Sequence, residues 1–239
     1  MKIVFCTFNK YLDIAKLTAE SICNNFPNNE LHVITNKVFE TDNQINFFKL
    51  KEDQGWVKNL EIFLSGIDSS ERIILTMDDL YITGSSPLFE SIVKSKYIEN
   101  YDSVRLYDPP NVRISSAIDS DFCNIMNSNT DNYPVSCMFC IFKVSFLKHL
   151  LNDEVDAWRF EKNANKKLLN YKTASLPFNA VTMRNIIVKG DVVKSRLHGL
   201  KVDNFKGMNI FKLIKYRLIS ILSFLKNKNL RKIVNYLFQ

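Results

Sequence analysis

Apolar positions along this chain alternate between two rhythms. Lys2–Thr7 is a short, almost wholly apolar run of the kind a buried strand requires. After Phe8-Asn9-Lys10, the residues Leu12, Ala15, Leu17, Ala19 and Ile22 fall at helical spacing. Leu31–Thr35 predicts a second strand and Ile45–Leu50 a third. Gln54–Gly66 returns to the helical rhythm through Trp56, Leu60, Phe63 and Leu64, and Gly66 supplies a common helix stop. Arg72–Met77 then predicts another buried strand. This succession of strands with helices between them predicts an α/β domain whose sheet has parallel members joined by crossover helices.

Further along, Pro87–Lys96 reads as a helix with Ser85 or Ser86 as its cap, and Ser103–Leu106 as a short strand. Residues 107–132 are the least periodic stretch, with short strands at Val112–Ser115 and Phe122–Met126; long irregular segments in compact domains tend to be functional or disordered. Val135–Phe142 predicts a central buried strand, Ser145–Leu151 a short helix and Asp156–Leu169 a longer one. Thr182–Val193 predicts a closing pair of strands that turn at Lys189-Gly190-Asp191.

Composition adds a second unit to this picture. The hydrophobic fraction of 46% and the presence of only six prolines argue for a globular chain. The net charge of +7 is uneven: residues 201–239 carry nine basic side chains against Asp203 alone, a net +8, which leaves −1 for residues 1–200. The basic balance therefore belongs to the tail, and a nucleic-acid partner is not expected. In that tail Ile210, Leu213, Ile214, Leu218, Ile221, Leu222, Phe224 and Leu225 share one broad helical face, interrupted only by Arg217. Lys212, Lys215, Tyr216, Ser220, Ser223 and Lys226 share the other. A basic amphipathic helix of this type suits an anionic membrane surface, and it also suits packing on the preceding domain with its cations solvated. The expected division is residues 1–200 as one domain and 201–239 as a basic amphipathic helical tail.

Five cysteines do not make a disulfide framework in 239 residues. Cys137 and Cys140 form a lone C-x-x-C inside an apolar run, expected on opposite faces of a strand as buried structural thiols; zinc would need a second pair. The N-terminus shows no secretory pattern and no window reaches the 18 to 20 apolar residues of a membrane span, so a cytoplasmic protein is expected.

Two clusters could carry chemistry. Asp78 and Asp79 stand side by side at the end of an apolar strand, where two carboxylates repel unless a divalent ion, an arginine or a proton intervenes. In open α/β sheets ligands sit outside the carboxyl ends of strands, and oxygen ligands of this kind suit Mg2+ or Mn2+. The plainer alternative is a capping Asp78 beside a solvated Asp79. In Asp156-Ala157-Trp158-Arg159-Phe160-Glu161, Trp158 and Glu161 lie three apart and share a helical face, an aromatic plane beside a carboxylate that suits a sugar. Equally, Trp158 could be core and Glu161 a first-turn acid favoured by the helix dipole.

The order of these pieces resembles the GT-A family of nucleotide-sugar glycosyltransferases, and in particular the bacterial transferases of capsular and lipopolysaccharide clusters. The matching residues are Thr7-Phe8-Asn9, Gly55-Trp56-Val57-Lys58-Asn59-Leu60, Ile73-Ile74-Leu75-Thr76-Met77-Asp78-Asp79-Leu80-Tyr81, Ser103-Val104-Arg105-Leu106, the strand from Tyr133, Ala157-Trp158-Arg159-Phe160-Glu161, and Val188-Lys189-Gly190. The resemblance spans about residues 1–200 and implies a single GT-A-like, Rossmann-like domain with a mostly parallel sheet. It implies that Asp79, with Asp78, holds Mn2+ or Mg2+ against the donor diphosphate. It places Thr7, Asn9, Trp56 and Asn59 near the nucleotide and Trp158 with Glu161 near the acceptor. Glu161, or less favourably Asp156, would then deprotonate the incoming hydroxyl.

The implied substrates are a nucleotide-sugar donor and a lipid-linked glycan acceptor, handled by a peripheral enzyme on the inner face of the cell membrane. Two departures stand out. Apolar or thiol residues (Cys137, Met138, Cys140) stand where relatives tend to carry a Gln before the Trp-Glu helix, and the acidic motif is Asp-Asp instead of Asp-x-Asp. His198 is a further candidate metal ligand, though a lone His near Gly199 more often lies on the surface. The alternatives are a nucleotidyltransferase, disfavoured because Cys6–Lys10 contains no glycine, and a non-catalytic membrane-peripheral binding or assembly protein.

Overall fold

A computed structural model describes residues 1–107, 123–124, 134–188 and 191–192. The chain divides into two units, Met1–Arg184 and Asn185–Gln239. In chain order the first unit contains β1 (Lys2–Cys6), α1 (Leu12–Asn25), β2 (Glu30–Thr35), β3 (Ile45–Lys49), α2 (Trp56–Ser65), β4 (Arg72–Leu75), β5 (Leu80–Ser85) and α3 (Phe89–Val93). It continues through β6 (Ser103–Arg105), β7 (Cys123–Asn124), β8 (Cys140–Lys143), α4 (Val144–Leu151), α5 (Ala157–Asn163), β9 (Thr173–Ser175) and β10 (Val181–Asn185), the last reaching one residue into the second unit. The described part of the second unit is a short antiparallel ladder of β11 (Ile187–Val188) and β12 (Asp191–Val192).

The main sheet has the strand order β3-β2-β1-β4-β8-β6-β9-β7. Its β3-β2-β1-β4 half is wholly parallel, and β6 pairs parallel with β9, whereas β8 runs antiparallel to both β4 and β6. Helices cover both faces, so the central strands are buried on both sides and read as near-continuous apolar runs. Ile3 and Phe5 of β1 and Ile74 of β4 pack with Ala15, Ala19 and Ile22 of α1. Val4, Cys6, Ile73 and Leu75 face the other way, onto Leu60 and Leu64 of α2, Leu147 and Leu150 of α4 and Phe160 of α5. Leu60 and Leu64 are wholly buried, and truncating either to Ala would cost about 2–5 kcal/mol.

Several expected elements differ in extent. The strand expected over Val135–Phe142 begins only at Cys140, because 134–139 is irregular and Phe139 adopts a positive φ of 42°. Cys137 and Cys140 consequently do not alternate across the sheet; both are buried in the same cluster as free thiols. Burial pushes both thiols up, Cys140 to about 12, so they are unreactive. The helix expected over Asp156–Leu169 is α5 followed by a separate 3-10 turn at Ala164–Lys167. The helix expected over Pro87–Lys96 is confined to the five residues of α3, begins after Leu88 and has no side-chain cap. Val112–Ser115, His198 and the tail 201–239 lie outside the described residues, and of Phe122–Met126 only β7 is described. No helix among the described residues is long and apolar enough to cross a membrane.

Candidate active site

The chain runs from β1 through α1 to β2 on one side, adds β3 beyond it, and then crosses through α2 to β4 on the other side of β1. The direction of winding therefore reverses between β1 and β4, and the crevice outside the carboxyl ends of such a strand pair is where open α/β sheets place ligands. Thr7 follows β1, and Thr76 through Asp79 follow β4, so Asp78 and Asp79 form the turn into β5 at this crevice.

Side chains from α1 hold the acidic turn from behind. Thr18 Oγ1 donates to the Asp78 carbonyl at 2.7 Å, and Ser21 Oγ accepts from the Ile82 N–H at 3.0 Å while donating to the Thr18 carbonyl at 2.8 Å. Both hydroxyl residues are buried on the apolar stripe of α1, where leucine or alanine would otherwise be expected. Their exception to that pattern was the available sequence signal, and its meaning appears only with the turn in place.

The carboxyl groups keep some solvent contact but sit deep enough to be poorly hydrated. Burial, and then the charge of Asp79, push Asp78 up to about 7, while Thr7 and the backbone hold it back. Burial pushes Asp79 up to about 6 against one backbone hydrogen bond. Neither carboxylate forms an ion pair among the described residues. Among the described residues the buried Thr7 hydroxyl meets no acceptor at good hydrogen-bond geometry, yet stands close enough to Asp78 to favour its ionised form, and Thr76 Oγ1 is likewise buried without a partner.

A divalent cation fits this donor set. Two repelling carboxyls with uncompensated charge, flanked by hydroxyl oxygens, are ligands for a hard ion. No group of three or more His, Cys, Asp or Glu among the described residues could cage a metal by itself. That composition suits Mg2+ or Mn2+, which take one or two carboxylates and complete their shell with phosphate and water, and it does not suit structural zinc.

The expected nucleotide contacts occupy different environments. Thr7 is buried and Asn9 exposed, in a 3-10 turn over Asn9–Tyr11. Asn59 is wholly buried, and its amide is engaged: Nδ2 donates to Asp53 Oδ1 at 2.8 Å and Oδ1 accepts from the Gln54 N–H at 3.1 Å. Asp53 Oδ1 also accepts from the Gly55 N–H at 2.8 Å, so this carboxylate shapes the turn into α2. Gly55 has φ 91°, a conformation a side chain would strain. Burial, and then the charges of Asp78 and Asp53, push the Cys6 thiol up, which puts both acids near the end of β1. Asp53 was absent from the residues singled out in the sequence, although Asp-x-Gly is a turn signal. Trp56 packs edge-on against Phe160, with ring centroids 5.6 Å apart.

Around α5 the two expected acceptor residues diverge. Trp158 is 58% exposed, with Lys162 Nζ 4.7 Å from its ring centroid, and offers a free aromatic face. Glu161 is turned inward: Oε1 accepts from Ser136 Oγ at 2.9 Å and from the Cys137 N–H at 2.7 Å. Burial raises its pKa, opposed by those two donors and by the charge of Arg105. Arg105 is itself buried and donates from Nη2 to the Val135 carbonyl at 3.1 Å, so β6 and α5 together grip residues 135–137. Arg105 and Ser136 had no assigned part in the site from the sequence. Asp156 has another role: its Oδ1 caps α5 by accepting from the Arg159 N–H at 2.7 Å.

No protein-family model and no curated protein sequence matches this chain. Solved structures do. The mannosyltransferase PcManGT from Pyrobaculum calidifontis, in complex with GDP-Man and Mn2+, aligns at a TM-score of 0.52 and 14% identity over 79% of this chain and 57% of its own. S. aureus TarS in complex with UDP-GlcNAc aligns at 0.52 and 14% identity over 92% of this chain and 66% of its own. A second TarS structure aligns at 0.50 and 15% identity over 75% and 58%. The chain thus spans roughly three-fifths of the length of the structures it matches. At such identities the likeness is one of architecture: the chain has the mixed α/β, Rossmann-like fold of the GT-A glycosyltransferases.

Proposed function

We propose that this chain is a glycosyltransferase that takes a sugar from a nucleotide donor with the help of Mn2+ or Mg2+. The observation that carries the proposal is the acidic turn: two adjacent carboxyls with no counter-cation among the described residues at the β1/β4 reversal, held in place by Thr18 and Ser21. Solved neighbours of the same fold that hold GDP-Man with Mn2+ and UDP-GlcNAc support the donor class.

Asp79, with Asp78, would hold the ion, which when bound supplies positive charge to offset the negative charge growing on the departing nucleoside diphosphate. The Asp53-Gln54-Gly55 turn, fixed by Asn59, shapes the ground near the end of β1. Trp158 offers its exposed ring to the apolar face of an acceptor sugar. Glu161 would take the proton of the attacking hydroxyl at Oε2, since Oε1 is occupied by Ser136 and Cys137, and the upward push of burial on its pKa makes it a stronger base than an exposed glutamate. The acceptor is proposed to be a lipid-linked glycan of a surface polysaccharide. The basic amphipathic pattern of residues 208–239 would then hold the enzyme on the inner face of the membrane, near an acceptor anchored in the bilayer.

Calorimetric titration with UDP, GDP and CMP, with and without Mn2+, tests the donor site. Binding of at least one nucleotide is expected to need Mn2+ and to weaken by about tenfold or more in Asp79→Asn. Failure to bind any of the three would favour a non-catalytic peripheral protein. Deleting residues 208–239 is expected to release the protein from anionic vesicles without unfolding Met1–Arg184; undiminished vesicle binding would remove the membrane role.

A further inference from the structure

At the opposite end of the same strands lies a cavity of about 600 Å³ that the proposed chemistry does not use. Ser70, Arg72, Val93, Lys94, Glu99 and Lys143 line it together with Met1. The strand β4 itself, from Arg72 to Leu75, separates the cavity from the acidic turn by ~10 Å or more.

The lining is unusual in its charges. Arg72 of β4 and Lys143 of β8 are register partners on adjacent antiparallel strands, so their side chains leave the same face of the sheet next to each other. Like charges in directly opposed positions destabilise a sheet. Among the described residues neither Arg72 nor Lys143 forms an ion pair. The guanidinium is half satisfied, because Nη2 donates to the Glu99 carbonyl at 3.3 Å, while Nη1 is buried and has no acceptor among the described residues. Burial depresses the pKa of Arg72, and the more distant charges of Asp102 and Glu99 only partly offset that. Asp102 Oδ2 already accepts from the Lys172 N–H at 2.8 Å. On the rim, Lys94 pairs with Glu90 at 3.3 Å and is 75% exposed, so it is free to turn.

A buried guanidinium N–H without an acceptor is costly, and a second ammonium beside it raises the cost. An anion entering the cavity would remove both penalties at once. A guanidinium fork flanked by lysine point charges matches the oxygens of a phosphate group, and the volume suits a small phosphorylated molecule. We propose that the Arg72–Lys143 cavity is a binding site for a phosphate monoester, separate from the acidic turn. The phosphate could belong to a soluble metabolite or to a lipid headgroup; the recognising chemistry is shared.

The test uses the full chain and needs no transferase activity, so it stands or falls apart from the function proposed above. Wild type, Lys143→Gln and Lys143→Arg are titrated with glycerol 3-phosphate and, separately, with vesicles containing phosphatidic acid in a neutral-lipid background. Binding in either arm is expected to weaken by about tenfold or more in Lys143→Gln and to persist in Lys143→Arg. Loss in the glycerol 3-phosphate arm assigns a soluble ligand, and loss confined to the vesicle arm assigns a headgroup. Without ligand, Lys143→Gln is expected to melt above wild type, because it relieves the like-charge pair. The proposal is overturned if wild type binds neither probe, or if Lys143→Gln binds both as wild type does. Arg72→Gln serves as a second variant where it folds, with the same expected loss.

Discussion

The acidic turn and Glu161 are both carboxyl centres attached to the same sheet, but the protein treats their charge in opposite ways. At the turn, burial pushes both carboxyls up, Asp78 to about 7 with the added charge of Asp79 and Asp79 to about 6, against a hydroxyl and backbone N–H groups alone. At Glu161 the same desolvation is met by a serine hydroxyl, a backbone N–H and a buried arginine. A buried charge left uncompensated is kept only where something outside the chain completes it, whereas a compensated one can hold structure together by itself. The difference separates a turn whose carboxyls would need a cation, as proposed, from a carboxyl that also fixes the path of residues 135–137.

The sharpest break would come from exchanging the two losses. Asp79→Asn is expected to weaken Mn2+-dependent nucleotide binding by about tenfold or more while leaving chemical denaturation unchanged or slightly shifted toward stability, because it removes repulsion. Glu161→Ala should destabilise by about 2–3 kcal/mol in urea unfolding, since the Ser136 hydroxyl and the Cys137 N–H lose their buried acceptor. Unchanged stability in Glu161→Ala would mean that water replaces the carboxylate and that the contrast is false.

A smaller effect should appear with pH. Asp78 and Asp79 have folded pKa values above the ordinary 3.8, so folding favours their protonated forms. Their stabilising contribution is complete below about pH 4 and is lost as pH rises through 6 to 7. Melting with a chelator present should therefore fall between pH 5 and pH 8, and Asp78→Asn should flatten that decline. Mn2+ affinity should move the other way, weakening as pH drops through the same range because the ligands must be ionised. A wild-type profile parallel to that of Asp78→Asn would contradict the uncompensated state of the turn.

The smallest expected effect is Thr18→Val, which keeps the shape but removes the hydroxyl that holds the Asp78 carbonyl. It should cost about 1 kcal/mol in unfolding and weaken Mn2+-dependent nucleotide binding several-fold, with Thr18→Ser restoring both. A loss of stability without any change in metal-dependent binding would show that the latch serves the fold alone.

Much of the architecture was legible in the sequence. The runs at Lys2–Thr7, Leu31–Thr35, Ile45–Leu50 and Arg72–Met77, with helical spacing between the first two and again before the last, correspond to β1, α1, β2, β3, α2 and β4. Alternating burial leaves that imprint directly, since Ile3 and Phe5 face one layer of helices and Val4 and Cys6 the other. The acidic pair was equally visible. Its surroundings were not: Thr18 and Ser21 break an apolar stripe and Asp53 opens a turn signal, but nothing in their own segments or in that of Arg105 says which polar group each one meets. The expected strand over Val135–Phe142 failed for the same reason, because the polar groups of 135–137 are engaged by Arg105 and Glu161 and never join a ladder.

The sequence alone determined the period, length and apolar faces of the elements, and from these the α/β class, because periodicity is written by residues a few positions apart. Tertiary structure decided which polar atoms meet. Thr18 reaches the Asp78 carbonyl across 60 positions, and Glu161 reaches the Cys137 N–H across 24. Pairings at that separation depend on how sheet and helices close around one another, and no local pattern encodes them.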